Sequence, residues 1–497
     1  MGPLGESNWA VPRKIRRETI LLMHSLKEDL PAFKNLLEKV QPNLLLIGAM
    51  SLCLPGAVAC ARKAKEMFGN EICVVLGGRH ATETIYSDQR GVIIHHPGSP
   101  LRLIAEGYIE PVFDLVVSGE GEHIIAWIGE KVDKLDRLCI SPSTISAHHE
   151  GVEQVHGRWI LGWTEAGQIY TIEGKGSQID RNFLPPPCEM FSVRSSLDVF
   201  GGRLTAHVSS DTGNGCVYNC KYCSERRSVT GPLVQLETSP ERLFRQLQSA
   251  VNVIREDSPS LKASAFVEDS TMLAGSNVAL WQLVDLLAKT KLDLRFGGQF
   301  TVDQILSKVD ILKSLKEVGL DYIFVGIETL EPSSIGGMNK DVKSNESTWL
   351  SRAERAIEVL TSLRIQCGAS LLFGLGETHE SRIKLLHQIE QWRTCYGSPD
   401  PISLNWAVQH PLRGDDGGAN YRYLEWGIPP GSWLEAFQDF GEASFRYPLA
   451  GQNPPILYEV QEIRSLCRQF FGIGGNLGIQ ESRTRGETWS ASQWIKN

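Results

Sequence analysis

The sequence lacks a surplus of positive charge. Its 50 lysines and arginines face 58 aspartates and glutamates, a formal net charge of −8, which leaves no footprint for a nucleic-acid phosphate backbone. The basic run Pro12 to Arg17 reads as a solvated face, and the apolar stretch after it, Ile20 to Met23, is too short for a secretion signal. No apolar segment runs unbroken across a bilayer's width. Leu44 to Ala61 carries no charge, but Gly48, Ser51 and the pair Pro55-Gly56 divide it into a strand, a loop and a helix. Internal repeats and low-complexity tracts are also missing. At 497 residues the chain exceeds one ordinary core, so two or three domains are expected, with no membrane or nucleic-acid partner.

Cysteine is scarce, and a fourth is missing where three crowd together. Eight of the 11 cysteines are scattered, and most of these read as small buried apolar residues; the other three, Cys216, Cys220 and Cys223, fall within GCVYNCKYC. Such usage without a signal segment points to a reducing, cytoplasmic compartment, where clustered cysteines bind metal or catalyse. Three thiolates leave a structural zinc site incomplete. They can hold three irons of a cubane cluster and leave the fourth open to a substrate or cofactor.

Strand and helix patterns alternate through most of the chain, an α/β arrangement. Thr19–His24, NLLLIG, ICVVLGG and FDLVVSGEGE read as strands separated by helices, the pattern of a doubly wound parallel sheet over residues 15–140. Ligands in such sheets sit beyond the carboxyl ends of the strands. Residues 141–195 read as a hairpin turning at Glu165-Ala166-Gly167 and a stiff linker, Leu184 to Cys188. Over 196–410, six strand–helix units begin with LTAHV, SAFVED, DLRFGGQF, YIFVGIE, CGASLLFGLGE and PISLNWAVQ, a partial TIM-type (β/α)6 barrel with its chemistry at the strand ends. The cysteine triplet follows the first of these strands. Residues 411–497, rich in Gly and Pro with Trp426, Trp433, Trp489 and Trp494, read as a small, mostly helical cap over the barrel mouth.

The spacing Cys-x3-Cys-x-aromatic-Cys, with Tyr222 before the last thiol, resembles the signature of the radical S-adenosylmethionine (SAM) superfamily. The resemblance implies a [4Fe–4S] cluster on Cys216, Cys220 and Cys223, with SAM chelating the open iron. Other pieces resemble the family's SAM contacts: Glu268 and Asp269 in FVED, Glu328 in VGIE, and Gly374 and Glu377 in SLLFGLGE, where Ser370 replaces the first glycine of the family pattern. The N-terminal region resembles the cobalamin-binding domain that precedes the barrel in one radical SAM class. The pieces are IGAMSL (Gly48, Ser51, Leu52), VVLGGRHAT (Gly77, Gly78, His80) and DLVVSGEGE (Gly119, Glu120, Gly121). The Asp-x-His-x-x-Gly motif of many cobalamin proteins is lacking, so the resemblance implies cobalamin without that histidine on cobalt.

This resemblance implies a cobalamin-dependent radical SAM enzyme, a methylase of an unactivated carbon. One SAM would methylate cobalamin, and a second would yield a 5′-deoxyadenosyl radical that activates a small-molecule or peptide substrate. It also implies an external flavodoxin- or ferredoxin-like electron donor and a monomer. A cobalamin-containing relative that cyclises, contracts rings or rearranges is the nearest alternative. A non-catalytic Fe–S and cobalamin sensor is another, although no helix-turn-helix or basic patch supports it.

Overall fold

The computed structural model describes residues 23, 26–135, 151–177, 179, 194–196, 198–210, 215–230, 233, 236–257, 259–341, 346–413, 419, 421–423 and 440–472. Apart from Met23, the expected strand at 19–24 lies outside these residues, as do the basic run at 12–17, the linker at 184–188 and the four tail tryptophans.

The N-terminal unit runs through α1 (Leu26–Val40), β1 (Leu44–Gly48), α2 (Leu54–Phe68), β2 (Cys73–Gly77) and α3 (Arg79–Thr84). A short antiparallel pair follows, β3 (Ile85–Ser87) and β4 (Ile93–His95), then α4 (Pro100–Ala105), β5 (Leu115–Gly119) and α5 (Glu122–Lys134). The hairpin β6 (Trp159–Glu165) and β7 (Gln168–Glu173) closes it. The sheet order is β1-β2-β5-β6-β7, with β1, β2 and β5 parallel and the hairpin antiparallel on the β5 edge.

Alternation along β2 explains why the run is apolar throughout. Val74 and Leu76 pack with Phe33, Ala61 and Leu101 on one face, while Cys73 and Val75 meet Ile124, Ile128 and Val132 of α5 on the other. The sheet is thus doubly wound. The hairpin expected as part of a connecting region extends this sheet instead, because Leu161 and Trp163 complete the apolar face under α5.

The second unit begins with β8 (Arg194–Ser196) and β9 (Leu204–Val208), then α6 (Arg227–Thr230), α7 (Ser239–Asp257), β10 (Ala263–Val267), α8 (Asn277–Thr290) and β11 (Leu294–Gln299). It continues through α9 (Val302–Ser307), α10 (Val309–Glu317), β12 (Leu320–Glu328), α11 (Pro332–Ile335), α12 (Glu346–Ser362), β13 (Gln366–Phe373), α13 (His379–Tyr396) and β14 (Ile402–Trp406). Strands β9 to β14 are parallel and adjacent in chain order, a half-barrel with β8 antiparallel at its edge. Helix starts are set by side-chain caps: Ser276 accepts from Ala279 N, Thr301 forms a capping box with Gln304, and Thr378 accepts from Ser381 N.

Outward residues such as Ala265, Val267, Ile323, Val325, Ala369 and Leu371 build one continuous core with the helices. The alternate residues, among them His207, Phe266, Phe324 and Ser370, are therefore turned to the concave side.

The described tail comprises β15 (Tyr421–Arg422), α14 (Phe440–Arg446), β16 (Ala450–Gly451) and α15 (Leu457–Phe471). Helix α15 does not cover the mouth. Val460, Ile463 and Cys467, spaced three and four apart, belong to the same outer core as Leu385, Leu386 and Ile389 of α13. Among the described residues no helix is long and apolar enough to cross a membrane.

Candidate functional site

The loop after β9 carries the three cysteines and is pinned from the far side by residues 337–339. Lys221 N donates to Gly337 O at 2.8 Å, Asn219 N to Asn339 Oδ1 at 2.8 Å, and Asn339 N to Cys220 Sγ at 3.3 Å. Tyr218 N donates to Cys216 Sγ at 3.5 Å. Cys220 is buried, and Cys216 and Cys223 are half-buried. Among the described residues no three His, Cys, Asp or Glu side chains converge tightly enough for a single metal ion.

The donor set nevertheless fits a cluster. Cubane corners hold thiolates farther apart than one ion does, and only three are needed when the fourth iron is open. Burial pushes the Cys223 thiol up to about 12 and raises that of Cys216. Such thiols need cationic iron to become thiolates. Tyr222 packs among Ile335, Leu375, Ala407 and Tyr421 with its hydroxyl buried beside the Cys220 thiol, and burial raises its pKa well above the ordinary phenol value.

The strand ends around this loop differ in what they offer. Glu268 and Asp269 are adjacent but sit in opposite environments. The Glu268 side chain is 48% exposed and pairs with His207 Nδ1 at 2.5 Å, whereas Asp269 is fully buried. Asp269 accepts from Ser210 N at 2.7 Å, Ser210 Oγ at 2.6 Å and Leu273 N at 3.1 Å, so it ties the β9 and β10 ends together. Only Glu268 faces the open side. Glu328 has left-handed backbone (φ 64°) and a buried carboxylate 2.8 Å from Lys340 Nζ. Lys340 also donates to Gly326 O at 2.9 Å. Burial lowers the Lys340 pKa, and Glu328 and Asp341 more than offset that, so it remains an ammonium.

Glu377 is occupied by its own loop. It accepts from Gly374 N at 2.6 Å and Leu375 N at 2.8 Å and pairs with the fully buried Arg382 at 2.5 Å. Arg382 reaches on to Glu459 of α15 at 3.0 Å and Asn453 O at 2.8 Å. The arrangement holds the turn after β13 by charge-assisted bonds.

In the N-terminal unit, Gly48, Ser51, Leu52, Gly77, Gly78, His80, Gly119, Glu120 and Gly121 line the carboxyl ends of β1, β2 and β5 or the turns that follow. His80 is fully buried; Nε2 lies 3.0 Å from Gly98 O and Nδ1 3.0 Å from Ser51 Oγ, which leaves no ring nitrogen for a metal. Gly78 (φ 86°) is required by its own chain, since a Cβ there would lie 2.7 Å from Ala49 N. Around Gly48 there is open space. Glu120 is spent on Arg158 N at 2.8 Å.

Sequence reasoning missed His207, Lys340 and Arg382. It also missed a group of charges, described below, that joins the two units.

The half-barrel with this loop matches the radical SAM superfamily over residues 211–389. This stretch is a radical SAM domain. A curated relative is the hopanoid C-2 methylase of Rhodopseudomonas palustris (strain TIE-1), 25% identical over 182 residues, 36% of this chain. The match spans about a third of that relative's length (32%). Among solved structures, the radical S-adenosylmethionine methyltransferase TsrM from Kitasatospora setae, with cobalamin and a [4Fe–4S] cluster bound, superposes at a TM-score of 0.48 and 13% identity. That match covers 88% of this chain and 81% of TsrM. A second TsrM structure, with tryptophan substrate and a SAM analog, gives 0.46 at 13% identity and covers 87% and 80%.

Proposed function

We propose that the chain is a cobalamin-dependent radical SAM enzyme that methylates an unactivated carbon of a small-molecule or peptide substrate. The observation that carries this reading is the three-cysteine loop of a radical SAM domain lying directly against the turn after β2 of a doubly wound domain: Arg79 pairs with Glu225 at 3.2 Å. When bound, a [4Fe–4S] cluster with SAM would supply a 5′-deoxyadenosyl radical, and cobalamin would carry the methyl group.

In this reading Cys216, Cys220 and Cys223 ligate the cluster. Glu268, oriented by His207, offers an acceptor to the SAM ammonium. Lys340, held by Glu328, supplies positive charge beside the thiolates. Asp269, Glu377 and Gly374 hold the strand-end turns in shape, and Tyr222 closes the apolar side. The turns at 48–52, 77–80 and 119–121 form the cobalamin crevice, with His80 bracing it. The same reading carries an external flavodoxin- or ferredoxin-like donor, a cytoplasmic location and a monomer.

The test is anaerobic reconstitution with iron, sulfide, cobalamin and SAM, followed by mass spectrometry of SAM products. Release of both 5′-deoxyadenosine and S-adenosylhomocysteine is expected. 5′-Deoxyadenosine alone would replace methylation with a rearrangement.

A further inference from the structure

A buried carboxylate joins the two units. Glu83, on α3 immediately after the Gly77-Gly78 turn, has a side chain only 2% exposed and stands between two arginines. Arg79 Nε is 3.1 Å from Glu83 Oε1. Arg413, beyond β14, donates its backbone N–H to Glu83 Oε2 at 3.1 Å and brings its guanidinium Nε to 3.5 Å from that oxygen. The Arg413 guanidinium also lies over the Tyr86 ring, 4.8 Å from its centroid.

Both arginines lead to the cysteine loop. Arg79 donates to Ser224 O and pairs with Glu225 at 3.2 Å. The Arg413 carbonyl accepts from Arg226 Nε at 3.1 Å and from its Nη2, while Arg226 Nη1 donates to Lys221 O at 2.6 Å. Arg226, itself buried, follows Cys223 by three residues, and its backbone N–H returns to Cys223 O. From α3 to the last cysteine the path is continuous: charge pairs and charge-assisted hydrogen bonds carry it as far as Arg226, and a backbone hydrogen bond closes it at Cys223.

We propose that Glu83 is a positioning residue: held between Arg79 and Arg413, it fixes the turn after β2 against the cysteine loop and so sets the separation of the two cofactor crevices. The inference rests on the two-cofactor reading above. Methyl transfer needs both crevices in register, whereas SAM cleavage needs only the cysteine loop. Loosening Glu83 therefore separates the two outcomes, because a misplacement of about 1 Å between reacting groups costs roughly 100-fold in rate.

The test uses the full chain with Glu83→Gln, which keeps shape and removes charge, and Arg79→Met, whose half-exposed side chain keeps the fold safe if the first variant does not accumulate. In the metal-free protein, hydrogen exchange of the amides at 79–84 and 224–230 should quicken about tenfold while β11 and β12 stay protected. In the reconstituted protein, iron content should hold and the ratio of 5′-deoxyadenosine to S-adenosylhomocysteine should rise about tenfold. Unchanged exchange at 224–230 in both variants, or a wild-type product ratio despite faster exchange, overturns the proposal. A wild-type protein that releases no S-adenosylhomocysteine overturns the methylation reading instead, and the exchange comparison alone then decides the role of Glu83.

Discussion

The Gly98 carbonyl facing His80 Nε2 can only accept, so that nitrogen carries the proton and Nδ1 accepts from Ser51 Oγ. Burial pulls the His80 pKa down to about 4 from an ordinary 6.5. Between those values the unfolded chain binds a proton that the folded one does not, so stability is full above about pH 6.5 and falls as the pH drops toward 4. The loss is about 1.4 kcal/mol per pH unit and roughly 3 kcal/mol in all. In urea titrations between pH 4 and 7, His80→Gln should give a flatter stability profile than wild type. Parallel profiles would mean the ring is protonated in the fold. For the thiols, Cys216→Ala, Cys220→Ala or Cys223→Ala should each abolish iron retention after anaerobic reconstitution, whereas Cys395→Ala, at an exposed position, should leave iron and sulfide unchanged. The triplet and Glu268 stand out in the chain because their signal is local spacing. His207 and Lys340 do not stand out, since a lone imidazole or charge reads as solvated until its partner, 61 or 12 residues away, is placed beside it; nor does Arg382, whose pair with Glu377, five residues off, is completed by Glu459, 77 residues away.

Among the elements, the long apolar strands were readable along the chain, including all six strands of the half-barrel. The short pieces α3, α4, β3 and β4 were not, because three to six residues cannot display a period. The glycine turns are instructive at this scale. Gly77 and Gly78 invite a reading of close approach by a ligand, yet Gly78 is already demanded by Ala49. Gly78→Ala should cost about 1–3 kcal/mol in the ligand-free protein. Gly48→Ala, with nothing within 4 Å, should stay within about 0.5 kcal/mol of wild type. Chemical denaturation measures both, and equal effects would remove the backbone explanation for Gly78.

Across the whole molecule, the apolar cores of the two units are separate: α15 belongs to the half-barrel core and not to either face of the N-terminal sheet. Ile463→Ala should therefore destabilise the half-barrel by about 2–4 kcal/mol. Exchange protection of β1 and β2 should stay as in wild type, and matching losses in both units would show a single cooperative block. The order of the units was legible from alternating strand and helix patterns. Their junction was not, because it depends on pairs such as Glu83 with Arg413, 330 residues apart.

That span has a consequence for how the chain is made. At roughly 5–20 residues per second, Arg413 leaves the ribosome about half a minute after Glu83. During that interval Glu83 has Arg79, four residues away on the same helix, a partner that needs no distant chain. The N-terminal unit can thus mature early with its carboxylate half-neutralised. The second arginine arrives only when β14 has been synthesised, so the end of the half-barrel is registered against a unit already folded.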